Sequence, residues 1–582
     1  MDSPIVVQLS PIDRRFAEFV SARCGGASEP LWYGAALASN AVGEGHVCLD
    51  LAAFGGRGLL TDGEMVELPP ADRWAEMLQG SPAVGRPGDY RPLVLDDAGR
   101  FYLYRYWRYE HELATAIRDR AARRLTMPAD AFDAVDRLFT PAPDGEPDGQ
   151  RTATLAALSS GLCVVSGGPG TGKTSTVAKI LALLLQQPGS AALRVACAAP
   201  TGKAAARLMD SLRGAGARLG LPDTVIDRFP AEVATIHRLL GALGGTGRFR
   251  HDRDNPLPHD LVVVDEASMV ALPLMARLAA ALRPDARLIL LGDRDQLASV
   301  EAGAVLGDIC DRPHGTVSPL AESLVLLERN YRFGADSGIG RVSRLVNNGA
   351  GEEALAVVTG GVAGGIGWRD LPEPTGLAAA LKDGLLSGFD EYLRETDPAA
   401  ALAAFDRFRL LCAVRQGPYG VEGINRVVEQ VLGEARLIDR RERWYRGRPV
   451  MVTANDYALK LFNGDIGIVL PDPAAGGALR LFFPAADGGV RSILPQRLPS
   501  HETAFAMTIH KSQGSEFDRV LMVLPDRDLP VVSRELIYTG ITRARSEVEI
   551  WGVRDGFVAG VGRRVARRSA LRELLWGENG ER

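Results

Sequence analysis

The stretch that most constrains this chain is Gly167-Gly168-Pro169-Gly170-Thr171-Gly172-Lys173-Thr174, which fits G-x-x-x-x-G-K-[ST]. Before it runs Leu162-Cys163-Val164-Val165, short and apolar like a buried strand. After it, Ser175 to Leu185 has helix-forming, largely apolar content. Strand, glycine-rich turn and helix are what a phosphate cradle requires. The glycines let backbone N–H groups turn inward, and the helix N-terminus adds positive potential. Lys173 is expected to reach the β- and γ-phosphates of a nucleotide, and the Thr174 hydroxyl to sit on Mg²⁺. Gly167, Gly168, Pro169, Gly170, Thr171, Gly172 and Ser175 complete the expected cradle.

At 582 residues the chain is long enough for several domains. From Gln150 to about Leu327, helical stretches alternate with the apolar runs Leu162–Val165, Arg194–Ala198, Leu261–Val264 and Arg287–Leu291. Such alternation predicts a parallel sheet covered on both faces, with functional residues at the strand C-terminal ends. After Tyr331 the pattern restarts. Gly360 to Gly367 reads as a connection, and Arg409–Val414, Val520–Leu524 and Glu547–Trp551 read as buried strands. Between them, Val450–Thr453, Ile466–Leu470 and Leu479–Phe483 are short strands split by Asn463-Gly464-Asp465 and Ala475-Gly476-Gly477 turns. They predict a small β-barrel inserted in the second α/β unit. The fold class is α/β: residues 1–124 a separate module, 125–148 a linker holding the Pro-rich run 141–148, then units 149–330 and 331–582, the insertion covering about 445–500.

In the module, Phe101 to Trp107 is aromatic and strand-like, suited to core packing, and Glu110 to Arg124 looks helical. Arg563 to Arg568 reads as a solvated helix face. The net charge of −5 leaves no global basic field, so any nucleic-acid contact must come from a local cleft. Six scattered cysteines without a C-x-x-C pair suggest neither zinc nor disulfides, and a reducing cytoplasm fits. The first residues lack signal-peptide character, and no apolar run is long enough to span a membrane.

Val262-Val263-Val264-Asp265-Glu266 is the second anchor. Asp265 can hold the Mg²⁺ shell, while Glu266 orients and deprotonates the attacking water. On an extended segment the two carboxylates would point apart. In Gly292-Asp293-Arg294-Asp295-Gln296, Gln296 is placed to bond the γ-phosphate and report nucleotide state. Arg332 and Arg543, both assigned to the second unit, would put guanidinium groups on the equatorial oxygens. ATP would then sit in the cleft between the units, and its hydrolysis would open or close that cleft.

The ordered set of motifs resembles superfamily 1 helicases. It runs Gln150, GGPGTGKT, Ala199-Pro200-Thr201-Gly202-Lys203, Thr235-Ile236-His237-Arg238, VVVDEAS, GDRDQL, Asn330-Tyr331-Arg332, Thr508-Ile509-His510-Lys511-Ser512-Gln513-Gly514-Ser515-Glu516 and YTGITRAR. More closely it is similar to the RecD family of exodeoxyribonuclease V subunits, on Gly292–Ile309, Cys412–Asn425, Met507–Asp518 and, in the N-terminal module, Gly45–Ala52. The resemblance implies two RecA-like motor domains with an SH3-like insertion. It implies that Gln150 contacts adenine, that Lys173, Thr174, Asp265, Glu266, Gln296, Arg332 and Arg543 form the ATPase site, and that Pro200, Thr201, Lys203, Thr235, His237, Thr508, His510 and Ser512 line a single-strand track. It further implies 5′→3′ movement on single-stranded DNA, work at duplex ends with RecB-like and RecC-like subunits, and docking of the N-terminal module on the latter. Threonine, serine and backbone amides at strand ends can grip phosphates without reading bases, which suits a track.

Two other readings stay open from the residues alone. One is an RNA-directed helicase, since phosphate contacts do not exclude a 2′-hydroxyl. The other is a nucleotide-binding clamp that turns nothing over, against which the intact Glu266 argues. No carboxylate-plus-lysine cluster marks a nuclease centre, which the resemblance assigns to the RecB-like partner. Gly244 to His259 is expected to form a small hairpin near the track.

Overall fold

In the computed structural model, the residues described are 4–23, 28–127, 130–139, 148–187, 190–244, 246–334, 337–361, 364–456, 458–485 and 489–577. Most of the expected linker run 141–148 lies outside them.

The N-terminal part ends in a strand, Arg100–Leu103, that passes directly into helix α1, Tyr104–Ala122. The aromatic run is therefore strand only to Leu103; Tyr104 to Trp107 opens the helix. Burial explains the switch. Tyr106, Tyr109, Glu110, Leu113 and Ile117 fall on one helical face and are buried together. That face packs on the first sheet's helix Leu272–Ala281, so α1 shares a core with the sheet that follows.

The first sheet has six parallel strands: β1 Leu162–Gly167, β2 Val195–Ala199, β3 Val233–Thr235, β4 Leu261–Val264, β5 Arg287–Gly292 and β6 Leu324–Leu327. Their order is β3-β2-β4-β5-β1-β6. The four expected strands form its centre. β3 and β6 are additional, and both sit at edges, where a strand of three or four residues carries little apolar signal. Helices α2 (Gly149–Ser159), α3 (Lys173–Gln186) and α4 (Gly202–Arg218) belong to one apolar layer; α1 and α5 (Leu272–Ala281) belong to the other, with α6 (Val305–Cys310). Coverage of both faces is why β4 reads Leu-Val-Val-Val without alternation.

The second sheet is also parallel. It contains β7 Ile366–Asp370 and β8 Phe408–Cys412. The inserted strands follow: β9 Pro449–Val452, β10 Ile466–Asp472, β11 Ala478–Pro484, β12 Val490–Ile493 and β13 His501–Thr503. The chain then returns as β14 Ala506–Thr508, β15 Phe517–Val523 and β16 Ala544–Gly552. The parallel order is β7-β16-β15-β8-β14. β7 takes up the end of the stretch read as a glycine-rich connection. Helices α7 (Gly338–Asn347) and α8 (Arg534–Ile541) pack beside one another on this unit. The inserted strands pair antiparallel in the order β12-β11-β10-β9-β13 around Val450, Val469, Leu481 and Phe483. Where the sequence leads to a closed barrel, β12 and β13 are the two edges of this sheet among the described residues. Gly464 and Gly476 hold positive φ (93° and 65°) in the expected turns.

Arg563 to Arg568 is not a helix face but an extended segment. The reason is local: its arginines are engaged with backbone. Arg563 donates to Leu529 O and Val532 O and pairs with Asp528, while Arg567 donates to Glu301 O (2.6 Å) and Gly303 O (2.9 Å) of the first unit. Val47 N–H donates to Arg568 O, and the final helix α9, Leu571–Trp576, packs on α1 and α6. The segment through Trp576 thus returns to the unit where the first sheet lies. The described cysteines, Cys48, Cys163, Cys197, Cys310 and Cys412, are buried and free. No described helix is long and apolar enough to cross a membrane.

Candidate nucleotide cleft

The glycine-rich loop closes β1 onto α3, and Gly170 and Gly172 both adopt φ of 83°. A side chain at Gly172 would be strained there, and its Cβ would collide with Gln150 Nε2. That close approach is how Gln150, at the start of α2 and only 7% exposed, is laid over the loop, donating to Thr171 O at 3.1 Å. Lys173 donates to Gly167 O (2.5 Å) and Gly168 O (3.1 Å), and Thr171 Oγ1 to Gly168 O. Thr174 and Ser175 lie partly buried on the first turn of α3.

Asp265 and Glu266 follow β4, but not as an extended pair. Glu266 has φ 51° and ψ 41°, in the left-handed region, and its N–H donates to Asp265 Oδ1 at 2.9 Å. A backbone reversal, rather than strand alternation, therefore separates the two carboxylates. Such a conformation in a non-glycine residue is costly, and strain of this kind gathers at functional sites. Burial, followed by the adjacent Glu266 charge, pushes Asp265 up to about 6 against the pull of Lys173.

The turn after β5 docks on the second unit. Asp293, 1% exposed, accepts from Gln296 Nε2 (3.0 Å) and from the Tyr538 hydroxyl on α8 (2.9 Å). Burial raises its carboxyl. Leu297 N–H donates to Thr539 Oγ1 (3.0 Å), and Gln513 Nε2 to Leu297 O (2.7 Å). Gln296 Oε1 is buried with no hydrogen-bond partner among the described residues. Asp293, Gln513 and Tyr538 were not picked out from sequence. All three stand inside recognised motifs, and only the tertiary contact singles them out.

The two arginines arrive differently. Arg543, just after α8 and 2% exposed, donates to Thr539 O and Ser515 O. Burial disfavours its charge, and Glu266 and Glu516 support it. Arg332 is not delivered by the second unit alone, because its stretch of chain is fastened to the phosphate loop. Tyr331 N–H donates to Gly170 O (2.8 Å), Asn330 Nδ2 donates to Pro169 O (2.7 Å), and Asn330 Oδ1 accepts from the Arg332 N–H (2.9 Å). The guanidinium reaches Glu516 Oε2 at 2.8 Å. Beside the loop a cavity of about 380 Å³ is lined by residues of both units, among them Pro169, Asp293, Asn330, Ser343 and Tyr538.

The expected track residues sit at strand ends of both sheets. Pro200 and Thr201 follow β2, Thr235 ends β3 and Thr508 ends β14. The three threonines do one job: each Oγ1 accepts the backbone N–H three residues on, from Ala204, Arg238 and Lys511, at 3.2 Å. His237 is exposed, with its ring 5.8 Å from Phe249. Phe249 belongs to the expected hairpin, which pairs Ala242 with Phe249 and Leu243 with Arg248 and so starts two residues earlier than its predicted stretch. His510 is partly buried. Lys203 lies partly buried 6.0 Å from the Phe517 ring, and burial lowers its pKa. Ser512 does not reach a surface: it is 0% exposed and donates to Ile509 O at 2.7 Å, holding the turn from within.

Two parallel-sheet units, with a P-loop, an Asp-Glu strand end and two arginines gathered at their junction, define the class of P-loop helicase-type nucleotidases. Family models agree along the chain: RecBCD enzyme subunit RecD, N-terminal domain, over residues 7–102; AAA domain over 150–302; UvrD-like helicase C-terminal domain over 503–550. RecBCD enzyme subunit RecD of Mycolicibacterium smegmatis is 41% identical over 93% of this chain and 92% of its own length. Its counterpart in Mycobacterium tuberculosis is 41% identical over 97% and 94%. The ATP-dependent RecD2 DNA helicase of Deinococcus radiodurans is 33% identical over 82% of this chain and 59% of its own length. The chain belongs to the RecD family.

Proposed function

We propose that this chain is an ATP-driven DNA helicase and translocase that moves 5′→3′ on single-stranded DNA, as one subunit of a RecBCD-type complex processing double-strand breaks for recombination. The observation that carries the reading is that the Arg332 stretch is fastened to the phosphate loop while buried Arg543 feels the charge of Glu266, at the junction of two parallel sheets. ATP binds on the loop with Gln150 at its base, and Lys173 neutralises the terminal phosphates. Thr174 and Asp265 are oxygen donors of the kind Mg²⁺ takes, and the adjacent half-buried carboxylates of Asp265 and Glu266 supply negative charge that a divalent cation would neutralise. Held by those oxygens, the cation would neutralise the charge that builds on the phosphates during transfer. Glu266 activates water, Gln296 senses the terminal phosphate, and the arginines hold the equatorial oxygens.

The domain division 1–124, 149–330 and 331–582 assigns docking to the first part and the motor to the other two. Val6, Ile12, Phe19 and Met65 are exposed apolar side chains of the first part and suit a RecC-like surface. Thr201, Thr235 and Thr508 keep a hydroxyl proton free for a phosphate. Pro200, Lys203, His237 and His510 flank them, and Ser512 shapes the turn. Buried free cysteines accord with a reducing cytoplasm.

Unwinding of 5′- and 3′-tailed duplexes by the full chain, alone and with co-purified partners, tests the reading. Displacement from the 5′-tailed substrate only is expected; displacement from the 3′ tail alone reverses the assigned polarity. The hairpin carries the exposed Leu243 beside His237 and Phe249, and an apolar wedge of this kind can separate stacked bases. Replacing residues 242–249 by a short Gly-Ser link is expected to abolish strand displacement and leave DNA-stimulated hydrolysis within about twofold. Unwinding at full rate would dismiss the wedge.

A further inference from the structure

One carboxylate outside the expected catalytic set gathers charge from both units. Glu516 stands between Gly514, at φ +71°, and the first residue of β15. Its side chain is 10% exposed, and Oε2 is shared. Arg332 Nη2 donates to it at 2.8 Å, Arg207 Nη2 from α4 of the first unit pairs with it closely, and Arg545 Nε of β16 lies at 3.4 Å. Arg207 Nη1 also donates to Gly514 O at 3.2 Å, so α4 is bound to this turn twice. Burial opposes the Glu516 charge, but Arg207, Arg332 and Arg543 bring its carboxyl down to about 2. It is therefore ionised at neutral pH.

Arg332 is fixed at two points. Its backbone is fastened to the phosphate loop, and one end of its guanidinium is held by Glu516. The other terminal nitrogen, Nη1, is buried without a hydrogen-bond partner among the described residues. A planar fork with one tine held and the other free is oriented rather than merely neutralised. The free tine is the donor a terminal phosphate would take. A second fact gives the anchor a further consequence. Arg207, held by the same oxygen, lies on α4, whose N-terminal end begins beside Thr201 and carries Lys203. A displacement of α4 by a bound strand would move the anchor that holds Arg332.

Resting on the motor reading above, we propose that Glu516 is a positioning residue. It aims Arg332 at the terminal phosphate and, through Arg207, makes that aim depend on the polymer track. Glu516 touches neither nucleotide nor DNA in this role. The prediction is a split between binding and turnover, together with loss of communication.

The test measures three quantities on the full chain: ATP turnover, the stimulation of that turnover by oligo-dT, and the Kd of a fluorescent ATP analogue. Glu516→Gln keeps the shape and removes the charge. It is expected to bind the analogue within about threefold of the unsubstituted chain, to lose about ten- to a hundredfold in stimulated turnover, and to show stimulation near unity. Arg207→Gln is expected to lose stimulation as well, and the double substitution to be no worse than Glu516→Gln alone, because both remove one linkage. Loss of analogue binding in proportion to turnover would make Glu516 a stabiliser of the cleft and overturn the proposal. Undiminished stimulation in Glu516→Gln, or additive effects of the two substitutions, would overturn it as well. If the unsubstituted chain itself shows no stimulation by oligo-dT, the motor reading fails, and with it the premise of this one.

Discussion

Lys173→Gln is expected to lower single-strand-stimulated ATP hydrolysis by about a hundred- to a thousandfold, read as phosphate release with and without oligo-dT. The glutamine fills the same space on the first turn of α3 and keeps polar atoms near Gly167 O and Gly168 O, which the ammonium now serves. Folding should be little affected. What disappears is the positive charge among the phosphates, in a cleft where Asp265, Glu266 and Asp293 already supply three carboxylates. Without Lys173 the triphosphate would meet net repulsion on that side, and the charge shifting to the bridging oxygen during transfer would lack a partner. Electrostatic loss of this type acts mainly on turnover. Full activity in this variant would remove the catalytic assignment of the whole cleft.

The second large effect is expected from Glu266→Gln. Removing a positioned general base costs about a hundred- to ten-thousandfold in rate. The left-handed backbone at 266 sharpens this expectation, because the conformation is maintained by surrounding contacts and not by the side chain's own preference. Glutamine should therefore occupy the same place with the same reach and no basicity. Nucleotide affinity should hold or improve, because the negative charge beside Asp265 is gone. A Kd for a fluorescent ATP analogue equal to or below that of the unsubstituted chain, together with lost turnover, is the expected signature. Weakened binding in parallel with turnover would mean that Glu266 shapes the site instead of activating water.

Much of this was legible from the residues because the chemistry is carried by short contiguous stretches. A glycine-rich turn between an apolar strand and a helix has few other readings, and an Asp-Glu pair after Val262-Val263-Val264, downstream of such a turn, reads as the end of a strand. What escaped was whatever depends on two distant segments meeting. Nothing in Tyr538 announces a hydroxyl aimed at Asp293, and nothing in Glu516 announces three arginines. The misreadings have the same origin. Tyr104 to Trp107 has strand-forming composition, but the apolar face of α1 continues backward through Tyr106 and takes these residues into the helix. Arg563 to Arg568 has the composition of a solvated helix, yet carbonyls at Ser299, Glu301 and Gly303 fix it as extended chain. Tertiary contact overrode local preference in both places.

That returning C-terminal segment has a mechanical consequence. The polypeptide crosses from the first sheet to the second after β6 and crosses back before α9, so the later unit is moored at both ends. A body moored at two separated points cannot swing freely. Any opening of the cleft would therefore have to be accommodated at both crossings at once.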